Sequence, residues 1–291
     1  MYYRRKIALA LVQRFGGELN PTSLHKRLLI LTRQQAKPAY DFVPYQYGAY
    51  SFQARADQST MIKYGMLKDS SNWALADNEN YVGLLKDPDK RLLNNLYARF
   101  NKYSASELIR HTYLEYPFYA IHSKIADQHL SEDELQRIEL IRPANNEQKL
   151  YTIGYEGISA ETYMNKLIVK DIRILVDVRK NSFSMKYGFS KKQLRGMCEK
   201  LGIQFIHIPE LGIESNKRKT LKSFEDYKLL FKEYEDQTLP VRKLYLENLK
   251  SLITTHKRVV ITCFEKEHTS CHRHKISDHL QKEDGVQVEH L

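Results

Sequence analysis

The feature that most constrains the fold is a change in hydrophobic pattern near residue 148. After this point, short apolar runs alternate with longer amphipathic segments, and the run at 172–178 (IRILVDV) is apolar almost without interruption. Buried parallel strands have this character because both faces of their sheet are covered. Strands that alternate with helices form a parallel sheet. The pattern therefore predicts an α/β domain with a Rossmann-like parallel sheet over residues 148–291.

The predicted strands of this domain lie at 150–153, 172–178, 205–208, 258–264 and 286–290. Its predicted helices lie at 160–168, 191–201, 223–234, 241–255 and 271–281.

The first half of the chain predicts a different kind of domain, over residues 1–145. Apolar residues at helical spacing indicate helices at 4–15, 22–33, 88–101, 104–116 and 131–140. Short apolar segments at 65–67 and 73–75 fit two strands of a wing. We therefore expect a mainly α, winged-helix-like domain, joined to the second half by a polar linker at 142–149.

The bulk composition favours a basic, membrane-free protein with an acidic partner. The chain has 291 residues and a formal charge of +11, which favours nucleic acid or nucleotides as partners. It has no apolar run near the ~20 residues that a membrane helix needs. Three cysteines do not make a disulfide framework. We expect a cytoplasmic protein without a signal peptide.

Six aromatic residues lie within the segment 40–52 (YDFVPYQYGAYSF) of the N-terminal half. They fit a small packed core, a platform for bases or a protein interface. A winged-helix arrangement would place Lys26, Arg27 and Arg33 in a DNA groove. With the segment 65–67 (GML), this stretch resembles the YwgA-type and Panacea (SocA-like) helical domains, a similarity that covers roughly residues 5–75. That resemblance implies interaction or regulation in toxin–antitoxin or phage-conflict systems, with a protein partner bound through this domain.

Polar residues follow three predicted strands in the C-terminal half. They occur in the segments 152–157 (TIGYEG), 177–179 (DVR) and 263–265 (CFE), and the segment 271–273 (CHR) comes shortly after the last of these. The carboxyl ends of parallel strands are where open α/β sheets build ligand sites. These segments therefore predict a site at that edge of the sheet.

The carboxylates of this predicted site are Glu156, Asp177 and Glu265, which we expect to act in acid–base catalysis or to bind hydroxyl groups. Arg179 lies on the same face of its strand as Asp177. Either the two side chains pair with each other, or Arg179 binds a phosphate. An exposed turn carboxylate is the alternative for Glu156.

The segment 271–273 predicts a helix start, with Thr269 and Ser270 as the cap. A helix N-terminus favours anions and lowers the pKa of a cysteine. Cys271 is therefore a candidate nucleophile, with capping or packing as the alternative. Arg273 shares the inward stripe of this helix, so we expect it to bind an anion, with structural pairing as the alternative.

No metal or cofactor is predicted. Cysteines and histidines do cluster in one segment, but zinc sites usually combine two separated ligand pairs, and the second pair is missing. The clustered residues are Cys263, His268, Cys271, His272 and His274.

The C-terminal motifs, with the segments 188–191 (GFSK) and 211–212 (LG), occur in an order that resembles the bacterial domain-of-unknown-function family 488, over residues 150 to about 282. The resemblance implies a compact α/β domain and a site that includes Tyr155 and His272 as ligand-binding residues. It implies no agreed reaction. Related domains have Pro-x-Ser-Arg after Asp-Val-Arg, whereas this chain reads KNSFSM at 180–185, so the basic contact is missing or is moved to Lys186.

The resulting functional prediction is an enzyme directed at nucleic acid or a nucleotide, a hydrolase or a transferase, with an anion-binding pocket. A basic loop at 216–219 (NKRK) would contact a phosphate backbone. Two alternatives stay open: a non-catalytic nucleic-acid-binding or regulatory module of a phage-defence or toxin–antitoxin system, and a cysteine-dependent enzyme.

Overall fold

The computed structural model describes residues 1–214, 217 and 223–291. The chain divides into two compact units, Met1–Arg142 and Pro143–Leu291. The first is mainly helical, and the second contains a five-stranded parallel sheet with helices between its strands. The predicted α/β class is confirmed.

The N-terminal unit is built on helices that bury apolar side chains against each other. Its helices are α1 Tyr3–Arg14, α2 Pro21–Arg33, α3 Phe52–Lys63, α4 Asp87–Phe100, α5 Ala105–Glu115 and α6 Glu132–Ile141. Two short antiparallel pairs accompany them: β1 Glu18–Leu19 with β4 Trp73–Ala74, and β2 Val43–Tyr45 with β3 Gly48–Tyr50. The segments predicted as a wing approach each other through a single antiparallel bridge between Leu67 and Leu75.

Local capping explains where the second helix begins. The Asn20 side chain accepts a hydrogen bond of 2.8 Å from the Ser23 amide, and Pro21 occupies the first turn, where its missing N–H costs nothing. Gly16 and Gly17 supply the positive φ angles of 100° and 86° that end α1.

The aromatic segment 40–52 packs within the unit. Tyr40 and Phe42 are buried, and the Tyr50 ring stacks on His25 at 4.8 Å between centroids. Two of the basic residues expected in a DNA groove, Lys26 and Arg27, are buried as well. Lys26 donates a hydrogen bond to the Tyr47 carbonyl, so neither side chain is presented to a phosphate.

The C-terminal unit alternates strands with helices. Its strands are β5 Lys149–Gly154, β6 Ile174–Asp177, β7 Gln204–His207, β8 Arg258–Cys263 and β9 Val288–His290. Its helices are α7 Ala160–Val169, α8 Lys191–Lys200, α9 Phe224–Glu233, α10 Leu239–Val241, α11 Lys243–His256 and α12 Arg273–Asp284. A π-helical turn, Tyr234–Thr238, joins α9 to α10.

All five strands run parallel in the order β7-β6-β8-β5-β9. The fourth strand along the chain, β8, therefore lies between the first and the second. Alternate residues such as Val176 and Ile261 join a core with Leu249 and Ile276 of α11 and α12. Leu175 and Val260, which point to the other face, are also fully buried. Both faces of the sheet are covered, as the apolar run at 172–178 predicts.

Within the described part of the chain, the structure contains no helix with both the length and the apolar character that crossing a bilayer requires.

Candidate functional site at the carboxyl end of the sheet

The strand order brings the three polar segments to one edge. β8 pairs with β5 so that Gly154 lies opposite Cys263, and it pairs with β6 so that Asp177 lies opposite Thr262. Beyond the strands, the amides of residues 155 and 156 both donate to the Phe264 carbonyl, at 3.1 and 2.9 Å. The segment after β8 is therefore bound directly to the segment after β5.

Gly154 permits this approach because it has no side chain. A Cβ at this position would overlap the backbone of Glu265 and come within 3.1 Å of the Lys266 Cα. The close backbone approach at this glycine is therefore made to the protein's own loop.

Asp177 and Arg179 form a bidentate ion pair. The guanidinium Nε and Nη2 donate to Asp177 at 2.8 and 2.6 Å, and Nη1 donates to the Tyr155 hydroxyl at 2.7 Å. Burial opposes the charge of Arg179, but the hydrogen bonds and negative charge of Asp177 and Tyr155 outweigh it and raise the pKa of the guanidinium. Of the two interpretations that the sequence allows, the structure has the side chains paired.

Tyr155 is held by aromatic neighbours. Its ring stacks on Phe189 at 4.2 Å between centroids, and Phe264 meets it edge-on at 5.3 Å. The Lys186 ammonium donates to the Tyr155 carbonyl at 2.7 Å, and burial lowers the pKa of Lys186. Lys186 therefore supports the turn after β5.

Arg273 shapes the loop after β8. Its Nη1 and Nη2 donate to the carbonyls of Glu265 and Lys266 at 2.6 and 2.9 Å, and its side chain is buried. It does point inward with Ile276 and Leu280, as the helical spacing predicts. However, its two terminal nitrogens bind backbone oxygens, which corresponds to the structural alternative.

The predicted start of α12 is wrong by two residues. Residues 268–270 form a 3-10 turn, and Cys271 then has the extended angles φ −139° and ψ 139°. The helix begins at Arg273 with His272 as its N-cap, so Thr269 and Ser270 do not cap it. An extended residue between the turn and the helix prevents one continuous helix from 269 onward.

The predicted lowering of the Cys271 pKa is also wrong. The thiol is fully buried outside the first helical turn, and burial, followed by the neighbouring Cys263 and Glu265, raises its pKa well above the ordinary value. A buried neutral thiol is a weak nucleophile. The structure therefore removes the reason for expecting an activated cysteine.

Cys271 instead belongs to a buried cluster with Cys263 and His272. The His272 Nδ1 lies 3.8 Å from the Sγ atom of each cysteine, and its Nε2 lies 3.2 Å from the Val178 carbonyl oxygen. The sequence analysis did not predict a metal at these residues, because a second ligand pair, distant along the chain, is missing.

The remaining two carboxylates lie nearer the surface. Glu156 is exposed, and its Oε2 accepts a 3.0 Å hydrogen bond from the Lys266 amide. Glu265 is half-buried, and its Oε2 accepts a 3.3 Å hydrogen bond from the Cys263 thiol.

A cavity of about 340 Å³ opens between the ends of β5, β6 and β8. Sequence-predicted residues in its lining are Tyr155, Arg179 and His272. The sequence reasoning missed Lys180, Phe183 and Phe264 as lining residues. For Lys180 and Phe183 the signal was present in the unusual segment 180–185, which lies shortly after β6.

A second, larger cavity of about 1100 Å³ is lined by residues of α9 together with Glu265, His274 and Lys275, and it shares Phe264 with the first cavity. Most of the predicted basic loop, namely Asn216, Arg218 and Lys219, lies outside the described residues. Its one described member, Lys217, forms an ion pair with Glu233.

Residues 159–280 match the family model of the domain of unknown function DUF488. None of the curated proteins and none of the solved structures matches the chain. The match runs from the N-cap of α7 into α12, so it includes the Asp177–Arg179 pair and the Cys263–Cys271–His272 cluster. The resemblance of the C-terminal half is thereby confirmed over these residues, and the resemblance of residues 5–75 to YwgA-type domains stays a prediction.

Proposed function

We propose that the C-terminal unit binds a nucleotide or a nucleic-acid segment in the 340 Å³ cavity and acts on it as a hydrolase or transferase. The observation that carries this proposal is the composition of the cavity wall, where Arg179 and Lys180 lie with Phe183 and Phe264. The two phenylalanines are 72% and 44% exposed. Bases stack on accessible aromatic rings, and guanidinium and ammonium groups bind phosphates. The volume falls within the range of about 300–1,000 Å³ usual for ligand pockets.

The two cations differ in how available they are. Arg179 is 5% exposed and bound to Asp177, so its guanidinium is fixed in the cavity wall and its charge is balanced by that carboxylate. Lys180 forms an ion pair of 2.8 Å with Glu214, and both side chains are partly exposed. Exposed pairs of this kind are weak. A phosphate in the cavity would therefore compete with Glu214 for Lys180.

The proposed acid–base groups are Glu156 and Glu265, because their side chains reach the surface. Asp177 is fully buried, so its proposed role is to position Arg179. The two glutamates lie on the joined segments after β5 and β8, close to the cavity residue Phe264.

The non-catalytic alternative also has a specific observation in its favour. Asp177 binds Arg179 with both oxygens, and Glu156 accepts a hydrogen bond from a loop amide. Carboxylates bound in this way fit a rigid binding module, in the regulatory setting that the N-terminal resemblance implies. For the N-terminal unit we keep partner binding as the proposal, but not through Lys26 and Arg27, because both are buried.

Equilibrium binding at several salt concentrations tests the proposal. The probes are fluorescent nucleoside triphosphates and short single-stranded oligonucleotides, and the protein is the full chain. Phe183→Ala should weaken binding about 5- to 150-fold, because stacking contributes about 1–3 kcal/mol per base. Lys180→Gln should reduce the slope of log K against log salt by about one.

The matched control is Met185→Ala. Met185 is 93% exposed and lies in the same segment, but it does not line the cavity. Absence of binding at low salt would overturn the proposal, as would an equal loss with Met185→Ala. If binding holds, chromatography of the incubated nucleotide separates the two candidates: product that disappears with Glu265→Gln indicates an enzyme, and no product from the unaltered protein favours the non-catalytic module.

A further inference from the structure

Three buried side chains at the carboxyl end of the sheet converge on one point. One ligand atom each from Cys263, Cys271 and His272 lies within 4.8 Å of the other two. Cys263 is the last residue of β8, whereas the other two residues precede α12 directly. Two separate structural elements therefore supply the cluster.

The hydrogen bond of His272 determines which ring nitrogen carries the proton. The other ring nitrogen then presents its lone pair to the sulfur atoms. The His272 Nε2 lies 3.2 Å from the Val178 carbonyl oxygen. A carbonyl oxygen only accepts, so Nε2 carries the proton. In a neutral imidazole, Nδ1 is then the acceptor atom, and it faces both thiols. Histidines that bind metals are oriented in this way by a hydrogen bond from the other ring nitrogen.

The two nitrogen–sulfur distances are close to those of a tetrahedral ion. Zinc binds sulfur at about 2.3 Å and imidazole nitrogen at about 2.0–2.1 Å, so a tetrahedral angle separates the two ligand atoms by about 3.6 Å. The two nitrogen–sulfur distances in the structure are both 3.8 Å. These two distances exceed the tetrahedral value by about 0.2 Å, so a small contraction of the cluster would bring them to coordination geometry.

We propose that Cys263, Cys271 and His272 bind one transition-metal ion, with zinc as the preferred ion. Thiolate and imidazole ligands select zinc over magnesium or calcium, which prefer oxygen. The proposed site differs from the sequence-based expectation of no metal. That expectation required a distant second ligand pair, whereas here the sheet edge itself brings Cys263 to the residues before α12.

Three protein ligands leave a fourth position. Cys263 and His272 both line the 340 Å³ cavity, and Glu265 Oε2 lies 3.3 Å from the Cys263 sulfur. Zinc sites with three protein ligands and an open position are typical of catalytic centres. The ion would therefore face the same cavity as the proposed nucleotide, although its binding does not depend on that ligand.

The experiment measures metal binding by the purified full chain without nucleotide. We expect one zinc ion per chain by elemental analysis. After replacement by Co²⁺, a thiolate-to-cobalt charge-transfer absorption should appear. Loss of a residue that only supports a ligand weakens metal binding about 10- to 100-fold. Loss of a ligand should weaken Co²⁺ binding more than this, and we expect that result for each of Cys263→Ser, Cys271→Ser and His272→Gln.

Cys198→Ser is the matched control, because Cys198 is a buried cysteine on α8 outside the cluster. It should leave the cobalt spectrum unchanged. Absence of zinc and cobalt binding by the reduced protein would overturn the proposal, and so would cobalt binding without the charge-transfer band. A metal-free protein in which Cys263 and Cys271 form a disulfide, two hydrogens lighter by mass, would do so as well. The spectrum of the unaltered protein decides the matter even if a variant fails to fold, and a negative nucleotide-binding result would not alter it.

Discussion

Asp177 binds Arg179 through both of its carboxylate oxygens, at 2.8 Å to Nε and 2.6 Å to Nη2. The two residues are separated by one position at the end of β6, and both are buried. Each ion has lost its hydration, so each depends on the other for compensation. The pair, extended by the Tyr155 hydroxyl, fixes the position of the Arg179 guanidinium in the wall of the candidate site.

Asp177→Asn should destabilise the C-terminal unit strongly, because it leaves the buried guanidinium without its counter-charge. Breaking one partner of a buried pair costs about 3–5 kcal/mol. Urea unfolding followed by far-ultraviolet circular dichroism measures the loss. Glu225→Gln, which breaks an exposed pair with Lys228 on α9, is the control and should change stability little. Equal stability of both variants would mean that the Asp177–Arg179 pair is not a structural element.

Gly154→Ala should displace the loop after β8. The added methyl group would overlap the Glu265 carbonyl. The carbonyls of Glu265 and Lys266 accept hydrogen bonds from Arg273, so displacement of this segment would disturb those bonds as well. We expect lower stability and weaker ligand binding in the neighbouring cavity. Gly196→Ala on α8 is the control, since a Cβ there meets nothing within 4 Å, and alanine favours a helix by about 0.5–1 kcal/mol. If both variants behave alike in urea unfolding, the close approach at Gly154 is relaxed in solution.

His25 should make the N-terminal unit sensitive to acid. Burial lowers its pKa to about 4, against a partial opposing effect of the Pro21 carbonyl. The folded state therefore favours the neutral ring. The contribution of neutral His25 to the free energy of unfolding is fully present above pH 6.5 and is lost as the pH falls from 6.5 to 4. The loss amounts to about 3 kcal/mol.

The fluorescence of Trp73, the single tryptophan, reports unfolding of this unit. We expect the free energy of unfolding of His25→Gln to fall less steeply between pH 6.5 and 4 than that of the unaltered protein. The control His256→Gln on α11 should leave this decline unchanged. A decline that is identical in His25→Gln would assign the acid sensitivity to other groups.

The cysteines should be unreactive in the folded protein. Cys271 and Cys198 are fully buried, and Cys263 is 2% exposed, so thiol reagents should modify them only after unfolding. Titration with a chromogenic disulfide, with and without denaturant, measures this. One rapidly reacting equivalent in the native protein, located at Cys271 by mass spectrometry, would restore the cysteine-dependent enzyme as a candidate.

Much of the secondary structure follows from local signals. The helix that starts after Asn20 depends on a cap and a proline adjacent in sequence, and the buried strand at 174–177 depends on its own apolar run. Such features are predictable because the interacting groups are near neighbours along the chain. The predicted start of α12 is wrong because a 3-10 turn at 268–270 and an extended Cys271 separate the expected cap residues from the helix.

The sequence by itself determined that residues 148–291 form an α/β unit and that polar residues gather where its strands end. Only the tertiary structure decided which ends are neighbours. The insertion of β8 between β5 and β6 follows from how whole strands and helices pack, which no local pattern records. That order places the loop after β8, whose carbonyls Arg273 binds, against the turn after β5. It also brings Cys263 to Cys271 and His272. It also buries Asp177 together with Arg179. A charge that is removed from water must be paired, and each of these two side chains compensates the other.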